Sequence, residues 1–451
     1  MINIQSDSRK IKQGDTFVAL RGISSDGHDY IERAISNGAI KVIAEEGNYE
    51  VETVIVPNTR EYLNKYLYDN YSKYLEEMTI IGITGTNGKT TSAYLIYDAL
   101  NKLGIKCAYI GTVGFYMDGK VASLNNTSPD VCDLYDLLIE AYENGYKHVA
   151  LEASSQGLDG GRLEGIPFDY AIFSNLTQDH LDHHKTMENY ALAKQLLFKK
   201  LKPNGISIVN YDDAYKDYFI TDNTIYYGKN GGDFKITDME LTNQYSKFKY
   251  VYNGVEHEIT SSLLGDYNVF NMLVNIIVLT NLGISDEDIK NIIPKVKAPA
   301  GRMDTVMYKN NSIIVDYAHT PDAIEKIINA AKNVTTGNIY TVFGCTGDRD
   351  RTKRPIMTKM VTDLCKYAII TNDDPHYEDP EQIVSDMTTN LTNTNYEVCL
   401  DRKEAIIKGI NLLEDNDILL ILGKGHEEVM IVKDKKIPMN DKRIVLEYLK
   451  N

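Results

Sequence analysis

"TIIGITGTNGKTTSAYLIYDAL" occupies Thr79–Leu100 and sets the fold class. Its first six residues, Thr79–Thr84, form a short apolar run of the kind buried on both faces of a sheet. After Thr91 the apolar positions fall at Ala93, Ile96, Tyr97, Leu100 and Leu103, the stripe of a helix laid against that sheet. Between the two lies Gly85-Thr86-Asn87-Gly88-Lys89-Thr90-Thr91. Glycines there let backbone N–H groups converge on phosphate oxygens, and the helix N-terminus adds positive potential. Lys89 reaches the outer phosphates and the Thr90 hydroxyl sits on Mg²⁺ in such turns. The strict P-loop pattern has glycine where this chain has Ile83, so the competing reading is a glycine-rich turn with a surface lysine. The order strand, turn, Gly-Lys-Thr, helix favours an ATP-phosphate site. A kinase, a GTPase and a ligase all use one. No Asn-Lys-x-Asp run is present, which weakens the GTPase option.

Outward from this turn the chain alternates strands and helices. Strand candidates are His148–Glu152, Tyr170–Asn175 and Ile206–Asn210, then, beyond the linker "KVKAPAGRMD" with Pro299 and Gly301, Ile313–Tyr317, Tyr340–Phe343, Ala368–Thr371 and Ile418–Leu422. This is a βαβ pattern with mainly parallel sheets. The first 77 residues hold shorter strand-like runs such as "KVIAEE" and "TVIVPN". The expected fold is α/β in three domains, at 1–77, 78–299 and 300–451, a size range that fits 451 residues. The net charge of −16 argues against a nucleic-acid footprint. No apolar run is long enough to span a bilayer, and the N-terminal stretch is polar without a signal-peptide core, so a cytoplasmic address is expected. Five widely spaced cysteines with no CxxC read as reduced thiols.

Two further clusters carry chemistry. Glu152 ends a strand in "LEASSQGLDGGRLEG", and Asp179, His180, Asp182, His183 and His184 follow another strand. Carboxylates with imidazole suit a divalent cation near ATP phosphates. A zinc site and plain helix-cap or solvent-facing residues are the alternatives. In "MENYALAKQLLFKKL" Lys194 falls on one stripe with Tyr190, Leu197, Phe198 and Leu201. Its amine either snorkels to water or is desolvated with a lowered pKa; a neutral amine there could add CO₂ and become a carbamate metal ligand. The residues alone favour snorkelling.

An ordered series of motifs then becomes specific: "DSRKIKQGDTFVALRGISSDGHDYI" from Asp7, the 85–91 turn, "NNTSPD" from Asn125, "EASSQGL" from Glu152, "SNLTQDHLDHH" from Ser174, "NYALAKQLLF" from Asn189, "GDYNVFN" from Gly265, "GRMD" from Gly301, "VDYAHTPDA" from Val315, "GCTGDRDRTKRPIM" from Gly344 and "GKGHE" from Gly423. Along its whole length the chain resembles the Mur ligase superfamily, in particular the cell-wall ligases that add the third amino acid to UDP-N-acetylmuramoyl-dipeptide. The resemblance implies a UDP-binding domain, a P-loop ATPase domain and a Rossmann-like domain, with ATP and Mg²⁺ as cofactors. By position, Gly85–Thr91, Asn271, Arg302, Asp316 and His319 would meet ATP. Ser8, Arg9, Thr127, Ser128, Ser154 and Arg162 would hold the UDP-muramoyl-dipeptide. Thr90, Glu152, His180 and Lys194 as its carbamate would surround the metal, and Lys89, His180 and Lys194 would be catalytic. Arg349, Asp373, Asp374, His376, Gly423 and Glu427 would take the incoming amino acid.

The implied reaction passes a phosphoryl group from ATP to a substrate carboxylate, and the amino acid's amine then attacks the acyl phosphate. Diaminopimelate-adding relatives carry Asp-Asn-Pro-Arg, whose arginine grips the distal carboxylate. Here the run is Asp373-Asp374-Pro375-His376, with Glu378 and Asp379 after it. The missing fork and extra carboxylates tilt the expectation toward lysine or a similar diamine, unless Glu378 and Asp379 merely cap a helix. Gln156 where His is usual and Thr346 where Gly is usual are further departures. The alternatives are a diaminopimelate ligase, another Mur-type amide ligase, and a non-catalytic ATP-binding protein. A monomer without membrane insertion or nucleic-acid partner is expected.

Overall fold

The computed structural model describes residues 2–22 and 25–450, which pack as two compact units, 1–227 and 228–451. The first unit opens with a four-stranded parallel sheet of Ile4–Gln5, Thr16–Val18, Lys41–Ala44 and Glu52–Ile55, in chain order. The helix Thr59–Glu76 follows; Asn58 caps it by accepting from the N–H groups of Arg60 and Glu61.

The main sheet of this unit has six parallel strands, ordered Thr224–Gly228, Leu201–Asn210, Phe168–Phe173, Thr79–Thr84, His148–Glu152 and Cys107–Gly111. Antiparallel Gly114–Met117 and Gly119–Ala122 extend it at one side. The strand Thr79–Thr84 is buried on both faces, as its unbroken apolar run requires. Its neighbours in the sheet are not its neighbours in sequence. Ile83 pairs with Glu152 and Thr84 with Phe173, so the chain leaves all three strands at one edge. That is the place where an open α/β sheet offers its ligand crevice. The helix Lys89–Lys102 buries Ala93, Ile96, Tyr97 and Leu100.

The second unit begins with antiparallel Phe234–Leu241, Ser246–Tyr252 and Val255–Ser261, followed by the buried helix Asp266–Asn281. A six-stranded sheet then runs Asp304–Tyr308, Asn311–Asp316, Ile418–Leu422, Ile339–Phe343, Tyr367–Ile370 and Tyr396–Val398; only the first pair is antiparallel. Helices cover it, and separate apolar clusters fill its two faces: Ile314, Leu420 and Phe343 on one, Ile313, Leu419 and Val342 on the other. Asp316, Gly344 and Gly423 leave the ends of adjacent parallel strands. The five cysteines are buried and unpaired with one another. Among the described residues, no helix is long and apolar enough to cross a membrane.

Candidate active site

The 85–88 turn is held in a shape that only glycine permits at its first position. Gly85 has φ +145°, and a Cβ there would lie 1.9 Å from Ser174 Oγ. The backbone of Thr86 and of Asn87 donates to Asn175, to its carbonyl at 2.8 Å and its side-chain oxygen at 3.0 Å respectively. Gly88, at φ +86°, turns the chain into the helix that starts at Lys89. The Lys89 amine folds back and donates to the carbonyls of Gly85 and Thr86, each at 2.9 Å.

Thr90 faces the other side of the turn, where its hydroxyl donates to Glu152 Oε2 at 2.8 Å. Glu152 is fully buried. Its oxygens also accept from the Tyr109 hydroxyl, the Thr112 N–H at 2.9 Å and the Thr112 hydroxyl at 3.1 Å. All four donors are neutral, so they solvate the carboxylate without cancelling its charge. A hard cation with oxygen ligands fits that deficit, and Thr90 and Glu152 supply the oxygen type that Mg²⁺ prefers.

From Glu152 a polar chain continues outward. Ser128 Oγ donates to the Glu152 carbonyl at 2.9 Å and lies 3.0 Å from Ser154 Oγ. Thr127 and Thr112 hydroxyls are 3.1 Å apart. Arg162 donates to the Ser128 carbonyl at 3.3 Å and pairs with Asp130 at 3.2 Å. A cleft of about 390 Å³ adjoins this stretch, lined in part by Arg9, Lys10, Asn125, Asn126 and Asp130. Ser8 is buried in the short turn Ser8–Lys10, and Arg9 pairs with Asp7 at 2.7 Å at the surface. Gln156 is exposed on the short helix that Ser154 caps.

Lys194 is 1 % exposed, so its amine does not snorkel. Nζ donates to the Gly85 carbonyl at 2.7 Å, the same oxygen that Lys89 uses, and lies 4.3 Å from the centre of the Tyr190 ring. Burial, helped by the positive charge of Lys89, holds its pKa well below the usual lysine range, against the pull of Asp179. His180 sits in the left-handed region at φ +52° with its side chain half exposed. It contacts Asp179 at 3.4 Å and the edge of Tyr190, on the Lys194 side of the turn; among the described residues it makes no hydrogen bond or ion pair with Glu152. Tyr190 is thus the common neighbour of Lys194, His180, His184 and the Thr86 hydroxyl, and burial pushes its own pKa up to about 12. Sequence reasoning treated it only as a stripe residue. Tyr109 and Thr112 were missed altogether.

In the second unit, Asp316 accepts from the N–H groups of Met303 at 2.7 Å and Ala318 at 2.8 Å. Burial raises its pKa, opposed by Arg302 and His319. The Arg302 guanidinium lies 5.3 Å from the centre of the Tyr317 ring, and His319 bonds the Tyr317 carbonyl at 2.7 Å. Asn271 is buried in the helix Asp266–Asn281 and donates to Asn268 at 3.1 Å. A second group gathers Asp373, Asp374 and Glu427 around the buried Lys424, whose amine donates to Asp374 at 2.8 Å and Glu427 at 2.7 Å. Burial raises the pKa values of Asp373 and Glu427. Gly423, at φ +109°, packs where a Cβ would be 2.3 Å from Asp373. Thr346 donates to Asp373 at 3.2 Å. His376 is half-buried at φ +49° and its N–H bonds the Ile431 carbonyl; Arg349 is exposed.

Glu378 and Asp379 prove to be structural. Glu378 accepts two bonds from the buried Arg354, at 2.9 and 3.0 Å, and pairs with Arg351 at 3.0 Å. Asp379 caps the helix Pro380–Thr388 by accepting from Glu381 N–H. The helix-cap reading therefore holds for Asp379, which stays exposed, while Glu378 is held in an ion-paired cluster with Arg354 and Arg351.

Comparison with known proteins gives three family models in chain order: "Mur ligase family, catalytic domain" over residues 2–79, "Mur ligase middle domain" over 83–279 and "Mur ligase, glutamate ligase domain" over 301–425. A Fusobacterium nucleatum protein named UDP-N-acetylmuramoyl-L-alanyl-D-glutamate–2,6-diaminopimelate ligase is 42% identical, over 98% of this chain and 92% of its own. An Aquifex aeolicus protein of the same name is 36% identical over 99% and 93%. A solved structure of a ligase so named is 32% identical, covers 99% of this chain and 94% of its own, and superposes with a TM-score of 0.73. The chain belongs to the Mur ligase family of ATP-dependent, Mg²⁺-requiring amide ligases.

Proposed function

We propose that this ligase joins a diamino acid to UDP-N-acetylmuramoyl-L-alanyl-D-glutamate, converting ATP to ADP and phosphate, in cytoplasmic assembly of a peptidoglycan precursor. Its domains would be 1–77 for the UDP-muramoyl end, 78–299 for ATP and 300–451 for the amino acid. The observation that carries this reading is the Thr90–Glu152 contact, which joins the phosphate turn directly to a buried, uncompensated carboxylate.

The division of labour follows from the contacts. Backbone N–H groups of Gly85–Thr91 cradle the ATP phosphates, and Lys89 exchanges its two carbonyl partners for phosphate oxygens. Thr90, Glu152, His180 and a carbamate on Lys194 would hold Mg²⁺, which when bound offsets charge on the transferring phosphoryl group. Carbamate formation needs a neutral amine, and the burial of Lys194 shifts its amine toward that form. The substrate carboxylate, held by Thr127, Ser128, Ser154 and Arg162, takes the phosphoryl group. Ser8 and Arg9 take the nucleotide end, beside the adjoining cleft. The amine of the amino acid then attacks the acyl carbon and phosphate leaves. Asn271, Arg302, Asp316 and His319 would contact ATP, and Arg349, Asp373, Asp374, His376, Gly423 and Glu427 the amino acid.

We take 2,6-diaminopimelate as the leading amino acid. The preference for lysine rests partly on Glu378, which is held by Arg354 and Arg351, and on Asp379, which caps a helix; a relative 42% identical is named for diaminopimelate. Lysine stays the second reading because His376 stands where diaminopimelate ligases place an arginine fork. Phosphate release with UDP-N-acetylmuramoyl-L-alanyl-D-glutamate and a panel of amino acids decides. Turnover with diaminopimelate and little with lysine is expected; the reverse would reinstate lysine, and no release with any amino acid would overturn the ligase reading of this substrate.

A further inference from the structure

The histidine cluster that follows the strand Phe168–Phe173 is only partly used by the reaction. His183 pairs with Asp159, which ends the short helix Ser155–Asp159, and His184 sits beside it against Ser155 at the start of the same helix. His183 Nε2 lies 3.0 Å from Asp159 Oδ2. The rings of His183 and His184 meet edge to face, with centroids 4.6 Å apart and planes at 89°. One ligand atom from each of Asp159, His183 and His184 falls within 4.8 Å of the other two. A tetrahedral ion with bonds of about 2.0–2.1 Å needs its ligand atoms roughly 3.3 Å apart; the His183–Asp159 pair already stands at 3.0 Å, and the set must contract around His184 to close.

We propose that Asp159, His183 and His184 form a second metal site, for a borderline transition ion such as Zn²⁺ or Co²⁺, distinct from the site at Thr90 and Glu152. The donor set decides the class of ion. Two imidazoles and one carboxylate suit zinc and its neighbours, whereas Mg²⁺ prefers oxygen and water. The burial gradient suits entry from solvent: Asp159 is exposed, His183 half-buried and His184 5 % exposed. The floor of the site is built. His184 stacks on Tyr190 at 5.0 Å between centroids, and its Nε2 lies 3.0 Å from the Ser155 hydroxyl. A water can supply the fourth ligand. A bound ion would tie the helix Ser155–Asp159, entered through the substrate-side Ser154, to the turn that leads to Tyr190 and Lys194. The site is thus placed to stiffen the ligase centre without touching the transferred group.

Without an ion the same contacts are an imidazole–carboxylate pair and an imidazole–hydroxyl bond, so the test reads the metal itself. Tag-free, chelator-treated full-length protein is titrated with Co²⁺ in the absence of nucleotide. The expected result is one equivalent of Co²⁺ showing the intense visible bands of low coordination number, displaced by Zn²⁺ and not by excess Mg²⁺. The bands should persist in Glu152→Gln and vanish in His183→Ala and in Asp159→Asn, both of which should melt like the parent when metal-free. Absence of the bands in the parent, their persistence in His183→Ala, or their loss in Glu152→Gln would overturn the proposal. Because the readout is metal binding and not turnover, such a failure would leave the ligase reading untouched.

Discussion

At the scale of single residues, the two ionisable side chains that matter most, Glu152 and Lys194, are both buried. Among the described residues the Glu152 carboxylate takes four hydrogen bonds, all from neutral donors. Glu152→Gln keeps the shape and removes the charge. Phosphate release should fall at least about 100-fold, the order seen when one electrostatic contact to developing charge is deleted, and more Mg²⁺ should be needed for the residual rate. The melting temperature should hold or rise, since a buried charge has gone; a marked drop would make Glu152 structural. Lys194 is the counterpart. Its folded pKa is lowered, so between that value and the unfolded value of about 10.4 only the unfolded chain holds the proton. The unfolded state then binds more protons, and stability rises with pH through that window and declines as pH falls. In CO₂-free buffer the parent should gain on Lys194→Met as pH rises toward 10, by up to about 1.4 kcal/mol per pH unit, read by urea unfolding, while Lys194→Met is inactive. Both residues were legible in the sequence because each is out of place, a carboxylate closing an apolar strand and a lysine on an apolar stripe. Tyr109 and Thr112 were not. They reach Glu152 through the pairing of Ile110 with Leu151, a register that no local pattern announces.

At the scale of elements, the turn and the strand ends carry the predictions. Gly85→Ala would drive a methyl group into Ser174 Oγ at a backbone angle hostile to L side chains. A loss of about 1–3 kcal/mol and of ADP binding by calorimetry is expected. In the second unit Arg402 and Asp441 form a fully buried ion pair at 2.6 Å, and Arg402 also donates at 3.0 Å to the carbonyls of Asn372 and Leu422. Those carbonyls immediately precede Asp373 and Gly423. Asp441→Asn should cost about 3–5 kcal/mol in chemical unfolding, because it strands a buried guanidinium. At temperatures where the variant stays folded, the KM for the amino acid should rise more than that for ATP. Most strands were visible as apolar runs, displaced by a residue or two: Tyr170–Asn175 was expected and Phe168–Phe173 is found, Ile313–Tyr317 was expected and Asn311–Asp316 is found. The antiparallel strands Phe234–Leu241, Ser246–Tyr252 and Val255–Ser261 went unread because their outer faces carry lysine and glutamate. The available signal was their alternation around Asn253-Gly254, whose φ values of +49° and +76° suit the tight hairpin turn that this dipeptide favours.

At the scale of the whole molecule, each of the two units has its own apolar clusters, which predicts a separate cooperative step for each. Calorimetric unfolding should then exceed the van't Hoff enthalpy of a single transition. ADP at about 100 times its Kd should raise the stability of the nucleotide-binding part by about 2.7 kcal/mol; one sharp two-state transition would show the units to be coupled. The α/β class and the family were legible because the motifs recur in order along the entire chain. The five thiols, scattered through both units, are all enclosed by protein, and burial lifts that of Cys132 to about 12 and that of Cys345 to about 12. Electrophilic inhibitors built around thiol capture will find little purchase on the native enzyme. The same property is an experimental convenience: a cysteine engineered onto the surface would be the preferred attachment point for a maleimide dye, so fluorescence could follow catalytic turnover with the native thiols left in place.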